Sequence, residues 1–210
     1  MTDRSWTEDT LTTYLDRLAS GEPTPGGGSA ACVAGALGAG LGSMVVAVAQ
    51  KKGGGGDWAG FDLAFRTLGE SFLRLAEDDE AAFAVVMDAL RLPKGDPSRP
   101  ERLEQALEEA ATVPLQAAEQ AVQVLRHLED LLPYASVSII SDVGAAAHLA
   151  LAALRSSLLN VDVNRRGLTD PDRRAQLVEE RRALDQTGVA IHDRIAGAVS
   201  ARLASESHAG

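Results

Sequence analysis

The chain has 210 residues and a formal net charge of −10, and its composition is 45% hydrophobic but only 4% aromatic. This length suits one domain with an ample core, and the recurrence of Ala, Leu, Glu and Arg is typical of an all-helical protein. The negative charge argues against nucleic acid as a partner, because no basic stripe is available to displace counterions.

Two further features of the chain favour a cytoplasmic protein. The only cysteine, Cys32, excludes a disulfide framework, which is typical of a reducing compartment. The first ten residues, MTDRSWTEDT, have neither the basic region nor the apolar run of a signal peptide. We therefore expect the chain to remain in the cytoplasm.

Six helical segments follow one another, with no alternating strand pattern and no long linker between them. We therefore predict an all-α fold, a single-domain bundle of about six helices over residues 1–210, with a buried Ala/Gly-rich central helix. The six helices are predicted at about 6–20, 29–52, 58–91, 98–132, 138–166 and from 169 or 170 to the C-terminus.

Local start signals define several of these bounds. Ser5 with Glu8, and Ser98 with Glu101, have the spacing of capping boxes, and Asp57 is a plausible N-cap of the third helix. The second helix ends in a flexible GGGG break. Pro171 lies in the first turn of the sixth helix, where proline is favoured. Pro114 lies inside the fourth helix, where it predicts a kink.

The second helix contains a run of uncharged residues, AACVAGALGAGLGSMVVAVAQ, that is long enough to span a membrane. Its richness in Ala and Gly, and the lack of flanking aromatic residues, favour a central helix that is buried on all sides. Ala31, Gly35, Gly38 and Gly42 form a smooth groove along it. This groove predicts close packing against another helix, either within the subunit or across a dimer.

The segment PTPGGGS, residues 23–29, precedes this helix. A helix N-terminus has free N–H groups that favour anions, and bare backbone lets a ligand approach closely. Gly26, Gly27, Gly28 and Ser29 are therefore candidate binding residues. The alternative is an ordinary loop in which Ser29 serves only as the N-cap.

Asp79 interrupts an apolar stripe on the third helix, between Leu75 and Phe83. A carboxylate on an apolar face has a raised pKa unless it is paired, as a general acid requires. The acidic neighbours Glu77, Asp78 and Glu80 are expected to point elsewhere, into solvent. The alternative is that Asp79 is a partnered structural residue.

Further polar candidates lie near helix ends. Asn160 and Asn164 are one turn apart on the fifth helix, with a spacing suited to the amide edges of a heterocycle, and Asp142 precedes them on the same face. The alternative is that Asp142 caps the helix and that the Asn pair lies on a frayed end. The candidate cations, which also suit helix C-termini, are Lys51, Lys52 and Lys94. The four histidines show no metal-ligand spacing, so we predict no metal site.

Six segments of the chain, taken in order, resemble the cyclodeaminase/cyclohydrolase family of folate enzymes. They are PTPGGGSAACVAGALGAGLGSMV, EDDEAAF, ALRLPK, VPL, SDVGAAA and LLNVDVN. The resemblance covers nearly the whole chain. It implies an all-helical homodimer, with folate bound in clefts near the dimer interface. It also implies Asp79 as the catalytic acid, with a binding role for Gly26 to Ser29, Lys94, Ser141, Asp142, Asn160 and Asn164.

Two departures from the family pattern stand out. Glu77 occupies a position where the family has Asp, and GGGG replaces the basic and aromatic residues that usually follow Lys52. If this segment closes over the pterin, its loss predicts weak folate binding, which Gly54→Tyr should restore in part.

The resemblance implies hydrolysis of the methenyl bridge of 5,10-methenyltetrahydrofolate, with cyclodeamination of formimidoyltetrahydrofolate as the close alternative. The absence of a formimidoyltransferase segment in this chain favours hydrolysis. No cofactor is expected beyond the tetrahydrofolate substrate, and neither a membrane nor a nucleic acid is expected as a partner. A non-catalytic folate-binding or scaffold dimer remains a third hypothesis, and a membrane helix protein a fourth.

Overall fold

Helices account for nearly all of the residues that the computed structural model describes, which are 10–53 and 55–206. Six α-helices and one 3-10 turn follow one another there, and these residues contain no strand. The helices are α1 Leu11–Leu18, α2 Gly27–Lys51, α3 Trp58–Arg91, α4 Arg99–Leu131, α5 Val137–Gly167 and α6 Pro171–Glu206, and the 3-10 turn is Leu132–Tyr134.

Several predicted helix starts are confirmed. The third helix has its predicted bounds, and the Asp57 side chain accepts a hydrogen bond from the Gly60 N–H over 3.0 Å. The sixth helix begins with Pro171, and Asp170 Oδ1 accepts from the N–H of Asp172 over 2.9 Å. Asp and Pro at these positions satisfy or remove N–H groups that a helix leaves unpaired.

Three predicted starts differ. The capping box at Ser98 is wrong, because the Ser98 hydroxyl donates to Asp96 Oδ1 over 2.8 Å and makes no cap bond to the helix. The second helix begins at Gly27, so Ser29 lies in its first turn and is not the N-cap. The proposed box at Ser5 and Glu8 lies outside the described residues, and Thr10 caps α1 instead.

The five long helices run alternately up and down, and α2 packs against both α3 and α5. The small residues of α2 make this packing possible within one subunit. Rings of α3 lie over two of the glycines, Phe72 over Gly35 and Phe65 over Gly42. At Gly38, a Cβ atom would lie 3.1 Å from the backbone oxygen of Ala146 on α5. The groove predicted from the sequence is therefore occupied by the subunit's own helices.

Helices α2 and α5 are both long and apolar enough to span a membrane by length and composition. They also pack against each other, and Val45, Val46, Ala147 and Ala150 are almost fully buried. Their apolar character thus serves the core, but α2 is not buried on all sides of one subunit, because Leu37 and Met44 lie exposed on its outer face.

Candidate active site

A cleft opens where the N-terminus of α2, the middle of α3 and the C-terminal end of α5 meet beside α4. Its volume is about 380 Å³, within the range of ligand sites in proteins. The cleft includes several of the residues predicted from the sequence. Its lining consists of Pro23, Thr24, Gly26, Gly27, Gly28, Asp79, Ala82, Phe83, Val86, Met87, Leu90, Leu107, Ala110, Asn160, Val163 and Asn164, with Asp79 and the two asparagines as its main polar side chains.

Asp79 lies against the first turn of α2. Its carboxylate accepts a hydrogen bond from the backbone N–H of Ser29, one of the N–H groups that a helix N-terminus leaves unpaired. A Cβ atom on Gly28 would overlap both carboxylate oxygens. Gly28 is therefore required because the Asp79 side chain fills the space that a side chain at position 28 needs. The anion at this helix N-terminus is the protein's own carboxylate.

Burial raises the pKa of the Asp79 carboxyl above its ordinary value of 3.8, and the Ser29 N–H lowers it only in part. Asp79 is also the only charged residue among those that line the cleft. Burial raises the pKa of the neighbouring Cys32 thiol to about 12, and the negative charge of Asp79 adds to this effect. A carboxyl group in this setting can take up and release a proton closer to neutral pH than an exposed aspartate can.

The residues behind Asp79 form a second polar layer. Ser29 is fully buried, and its hydroxyl lies 3.3 Å from the hydroxyl of Tyr14 on α1. Glu80 faces the same helix, where Arg17 lies 3.7 Å from its carboxylate. The expectation that Glu80 points into solvent is therefore wrong, since its side chain is only 18% exposed. Burial raises the Glu80 pKa, although Arg17 opposes this shift.

The two asparagines of α5 face the cleft opposite Asp79. Asn160 Nδ2 donates to the carbonyl of Ser156 over 3.0 Å and lies 3.9 Å from where a Cβ on Gly27 would be. Asn164 Nδ2 donates to the carbonyl of Ala110 on α4 over 2.6 Å. The Asn pair thus belongs to the cleft, and it does not lie on a frayed helix end.

Four predicted binding residues lie elsewhere in the subunit. Lys51 and Lys52 end α2, about 35 Å from Gly28 at 1.5 Å per residue. Lys52 Nζ donates there to Ser136 and Ser138, at the start of α5. The other two, Ser141 and Asp142, belong to that same end of α5.

Two further parts of the prediction lie outside the cleft. The GGGG break follows Lys52, so within one subunit it does not cover the cleft, and Gly54 itself lies outside the described residues. Lys94 follows α3 four residues after Leu90, which lines the cleft, but Lys94 does not line it.

The apolar wall of the cleft was missed by the sequence reasoning. Phe83 and Leu90 continue the apolar stripe of α3 beyond Asp79, yet they are 37% and 44% exposed. Met87, Leu107 and Val163 complete this wall. Periodicity shows that a face is apolar, but it does not show whether a neighbouring helix or a ligand covers that face.

Comparison with known proteins identifies the family of the chain. The sequence profile of the formiminotransferase-cyclodeaminase family matches residues 10–183. The chain is 34% identical to a methenyltetrahydrofolate cyclohydrolase of Methylorubrum extorquens, over 93% of this chain and 98% of that protein. It is 30% identical to the mouse formimidoyltransferase-cyclodeaminase over 80% of its own length, but it spans only 32% of that longer protein.

The fold agrees with the sequence comparison. The crystal structure of a formiminotetrahydrofolate cyclodeaminase from Thermotoga maritima superposes with a TM-score of 0.86. The alignment has 27% identity and covers 94% of this chain and 98% of that chain. Both the sequence profile and the superposition include the helices that build the cleft, so the chain belongs to the formiminotransferase-cyclodeaminase family.

Proposed function

We propose that the protein is an enzyme of folate one-carbon chemistry that hydrolyses the methenyl bridge of 5,10-methenyltetrahydrofolate. The observation that carries this proposal is the lone carboxylate of Asp79 in a cleft whose described lining is otherwise uncharged. The methenyl bridge is a cationic amidinium, so a carboxylate attracts it. The apolar wall at Phe83 suits the flat rings of the folate on either side of the bridge. The full-length similarity to a methenyltetrahydrofolate cyclohydrolase supports the same substrate.

In this mechanism, Asp79 moves protons for an attacking water molecule. The water oxygen bonds to the bridge carbon and gives one proton to the Asp79 carboxylate. The bond from that carbon to one ring nitrogen then breaks, and Asp79 returns the proton to this nitrogen. The remaining hydroxyl proton is released as the formyl C=O forms, so one proton leaves overall. General acid–base catalysis of this kind contributes about 10²–10⁴-fold in rate.

Cyclodeamination of formimidoyltetrahydrofolate is the second candidate, and the similarity to cyclodeaminases favours it. Here a folate N–H nitrogen bonds to the carbon of the protonated formimidoyl group and gives its proton to Asp79. Asp79 passes this proton to the exocyclic nitrogen, whose bond to that carbon breaks as ammonia leaves and the cationic methenyl bridge forms. Both reactions pass through the same bridged carbon and need the same acid. The cyclohydrolase is preferred because the relative matched over nearly its full length is named for that reaction.

The test is to incubate the purified protein separately with methenyl- and formimidoyl-tetrahydrofolate and to follow formyl product and ammonia, with uncatalysed conversion measured in parallel. Asp79→Asn is expected to lower kcat by at least about 10²-fold while folate binding is retained. The exposed neighbour provides the matched control, Asp78→Asn, which is expected to remain active. An Asp79→Asn variant with wild-type turnover would exclude Asp79 as the acid. A wild-type protein that binds folate but turns over neither substrate would favour the scaffold role.

We also propose that the enzyme is a homodimer, with the exposed side of α2 and α3 as the interface. A groove of about 430 Å³ lies there, lined by small residues such as Gly40 and Gly69 and by apolar ones such as Met44 and Leu73. A second copy suits this groove, because a two-fold axis pairs the same patch on both subunits. An antiparallel pairing would also bring Lys51, Lys52, Ser141 and Asp142 of one subunit towards the partner's cleft.

The reaction as proposed needs a proton carrier and water, so we propose no cofactor beyond the tetrahydrofolate substrate. Dialysis against EDTA is then expected to leave kcat unchanged, and recovery of activity only on addition of a metal would contradict this. We further propose a cytoplasmic location, which is consistent with the free thiol of Cys32 and can be checked by cell fractionation.

A further inference from the structure

The proline inside α4 leaves one backbone carbonyl of that helix without its usual partner. In an α-helix, the carbonyl of Ala110 accepts from the N–H four residues later. That residue is Pro114, which has no N–H. Ala110 is buried, and a buried carbonyl without a donor is costly. The VPL segment of the sequence therefore creates an acceptor at a defined place in the fold.

Asn164 supplies the missing donor from α5. Its Nδ2 donates to the Ala110 carbonyl over 2.6 Å, and both residues line the cleft. The side-chain amide thus completes the hydrogen bonding of α4 at the point where that helix borders the site. Because the amide nitrogen faces Ala110, the orientation of the amide is fixed.

This orientation decides what Asn164 offers to a ligand. No residue in the described ranges donates a hydrogen bond to Asn164 Oδ1. Asn160 is held in a similar way, since its Nδ2 donates to the Ser156 carbonyl. Two amide oxygens, about one helical turn apart, therefore remain as acceptors. They suit a ligand edge that carries N–H donors.

We propose that Pro114 is a positioning residue of the cleft. By freeing the Ala110 carbonyl it orients the Asn164 amide, so that Asn164 Oδ1 accepts a hydrogen bond from an N–H group of the substrate. This inference rests on the proposed function, because the aminopyrimidinone edge of a folate carries such N–H groups.

A double-mutant cycle separates the two roles of Asn164. The proteins are wild type, Pro114→Ala, Asn164→Ala and the double variant, and the measurements are the urea unfolding midpoint and the dissociation constant for 5-formyltetrahydrofolate. Asn164→Ala is expected to lower the midpoint and to raise the dissociation constant about tenfold, the loss of one hydrogen bond to the ligand. In the double variant the midpoint is expected to recover, because the backbone N–H gained at position 114 then bonds to Ala110, while binding stays weak.

Pro114→Ala alone is expected to weaken binding about threefold, or about 0.7 kcal/mol, because the Asn164 amide is then free to turn. The matched control is Pro100→Ala. Pro100 lies in the first turn of the same helix, where no N–H is required, so its replacement should leave binding unchanged.

Wild-type affinity in Pro114→Ala or in the double variant would overturn the proposal, as would purely additive effects on unfolding. If Pro114→Ala fails to fold, wild-type affinity in Asn164→Ala would overturn it instead. Failure of wild type to turn over either folate, with 5-formyltetrahydrofolate binding and the cycle as expected, would overturn only the proposed function.

Discussion

Asp79 owes its position to the absence of a side chain on Gly28. The carboxylate lies where a Cβ atom would be and accepts the N–H of Ser29 in the first turn of α2. A helix N-terminus stabilises negative charge, yet burial still leaves the Asp79 pKa raised. The contact with α2 thus fixes the place of the proposed acid, while burial between the helices sets its raised pKa.

Gly28→Ala is expected to lower kcat/KM by about 100-fold, because it displaces the carboxylate and a misplacement of about 1 Å costs that much. Gly27→Ala is the matched control, since its Cβ has only Asn160 Nδ2 nearby, at 3.9 Å. Steady-state kinetics of both variants on the preferred folate check the prediction. Equal losses in both would show that the contact with Asp79 is not what the glycine preserves.

The raised pKa of Asp79 also predicts a pH-dependent effect on stability. The folded protein holds the Asp79 proton above pH 3.8, where the unfolded chain has released it, so stability falls as pH rises from 3.8 to the folded pKa. Asp79→Asn is expected to raise the free energy of unfolding at about pH 7.5, because the amide removes the buried charge whose burial raises the Asp79 pKa. The gain should decline as pH falls and vanish below about 3.8.

Urea unfolding of wild type and Asp79→Asn across this pH range is the measurement, with Asp78→Asn as the control for a change in net charge. A gain that is the same at about pH 3.5 and at about pH 7.5 would contradict the titration of Asp79 as its cause.

The sequence predicted Asp79 as a candidate acid, but it did not predict which residues surround that side chain. Asp79 could be found because a lone carboxylate interrupts a periodic apolar stripe on one helix. Its contact with Gly28 joins two residues that are about 50 positions apart, on different helices, and no local pattern indicates that pairing. For the same reason Glu80 was wrongly assigned to solvent, because its partner Arg17 lies on another helix.

At the scale of elements, α2 and α3 fit together through rings packed on glycines. Gly35→Ala is expected to lower the free energy of unfolding by about 1–3 kcal/mol, because its Cβ would overlap the buried ring of Phe72. Gly197→Ala on α6 is the control. A Cβ atom there meets nothing within 4 Å, so the gain in helix propensity should stabilise by about 0.5–1 kcal/mol.

Both variants should be unfolded in urea at one protein concentration, because the energies of a dimer depend on concentration. A Gly35→Ala variant as stable as wild type would show that the ring of Phe72 moves aside at little cost.

Helix bounds were predictable where a side chain pairs with its own helix. Asp57 caps α3 locally, and Pro171 opens α6, so both starts were recognised from a few residues. Ser98 shows why such a pattern can fail, because Asp96 competes for its hydroxyl. The start of α2 was placed too late, at Ser29 instead of Gly27, since a glycine cap leaves no side-chain signal.

For the whole molecule, the predicted binding residues lie at two ends of the bundle, and this distribution motivates the proposed dimer. Light scattering at micromolar concentration is expected to give twice the mass of the chain. Gly40→Arg is expected to give a single-chain mass with an intact fold, because a Cβ at this position meets nothing within the subunit. Gly197→Arg, also open but on α6, serves as the control and should remain dimeric. A monomeric wild type would overturn the proposal.

Composition and periodicity predicted an all-helical domain, but the arrangement of helix ends required the structure. Lys51 and Asn164 both lie near helix C-termini, yet α2 and α5 run in opposite directions, so these two residues occupy opposite ends of the bundle. The order of motifs along a chain carries no information about which ends adjoin.

The thiol of Cys32 can report on motions that open the cleft. Cys32 lies one turn after Gly28 and is 2% exposed, and with a pKa of about 12 it is nearly inert towards alkylating reagents at neutral pH. Labelling under native conditions is therefore expected during brief openings that separate α2 from α3, which also move Asp79 away from the N-terminus of α2. The labelling rate, relative to that of the unfolded chain, measures how often the acid is out of place. A folate that fills the cleft should lower the labelling rate of Cys32, and Gly28→Ala should raise it.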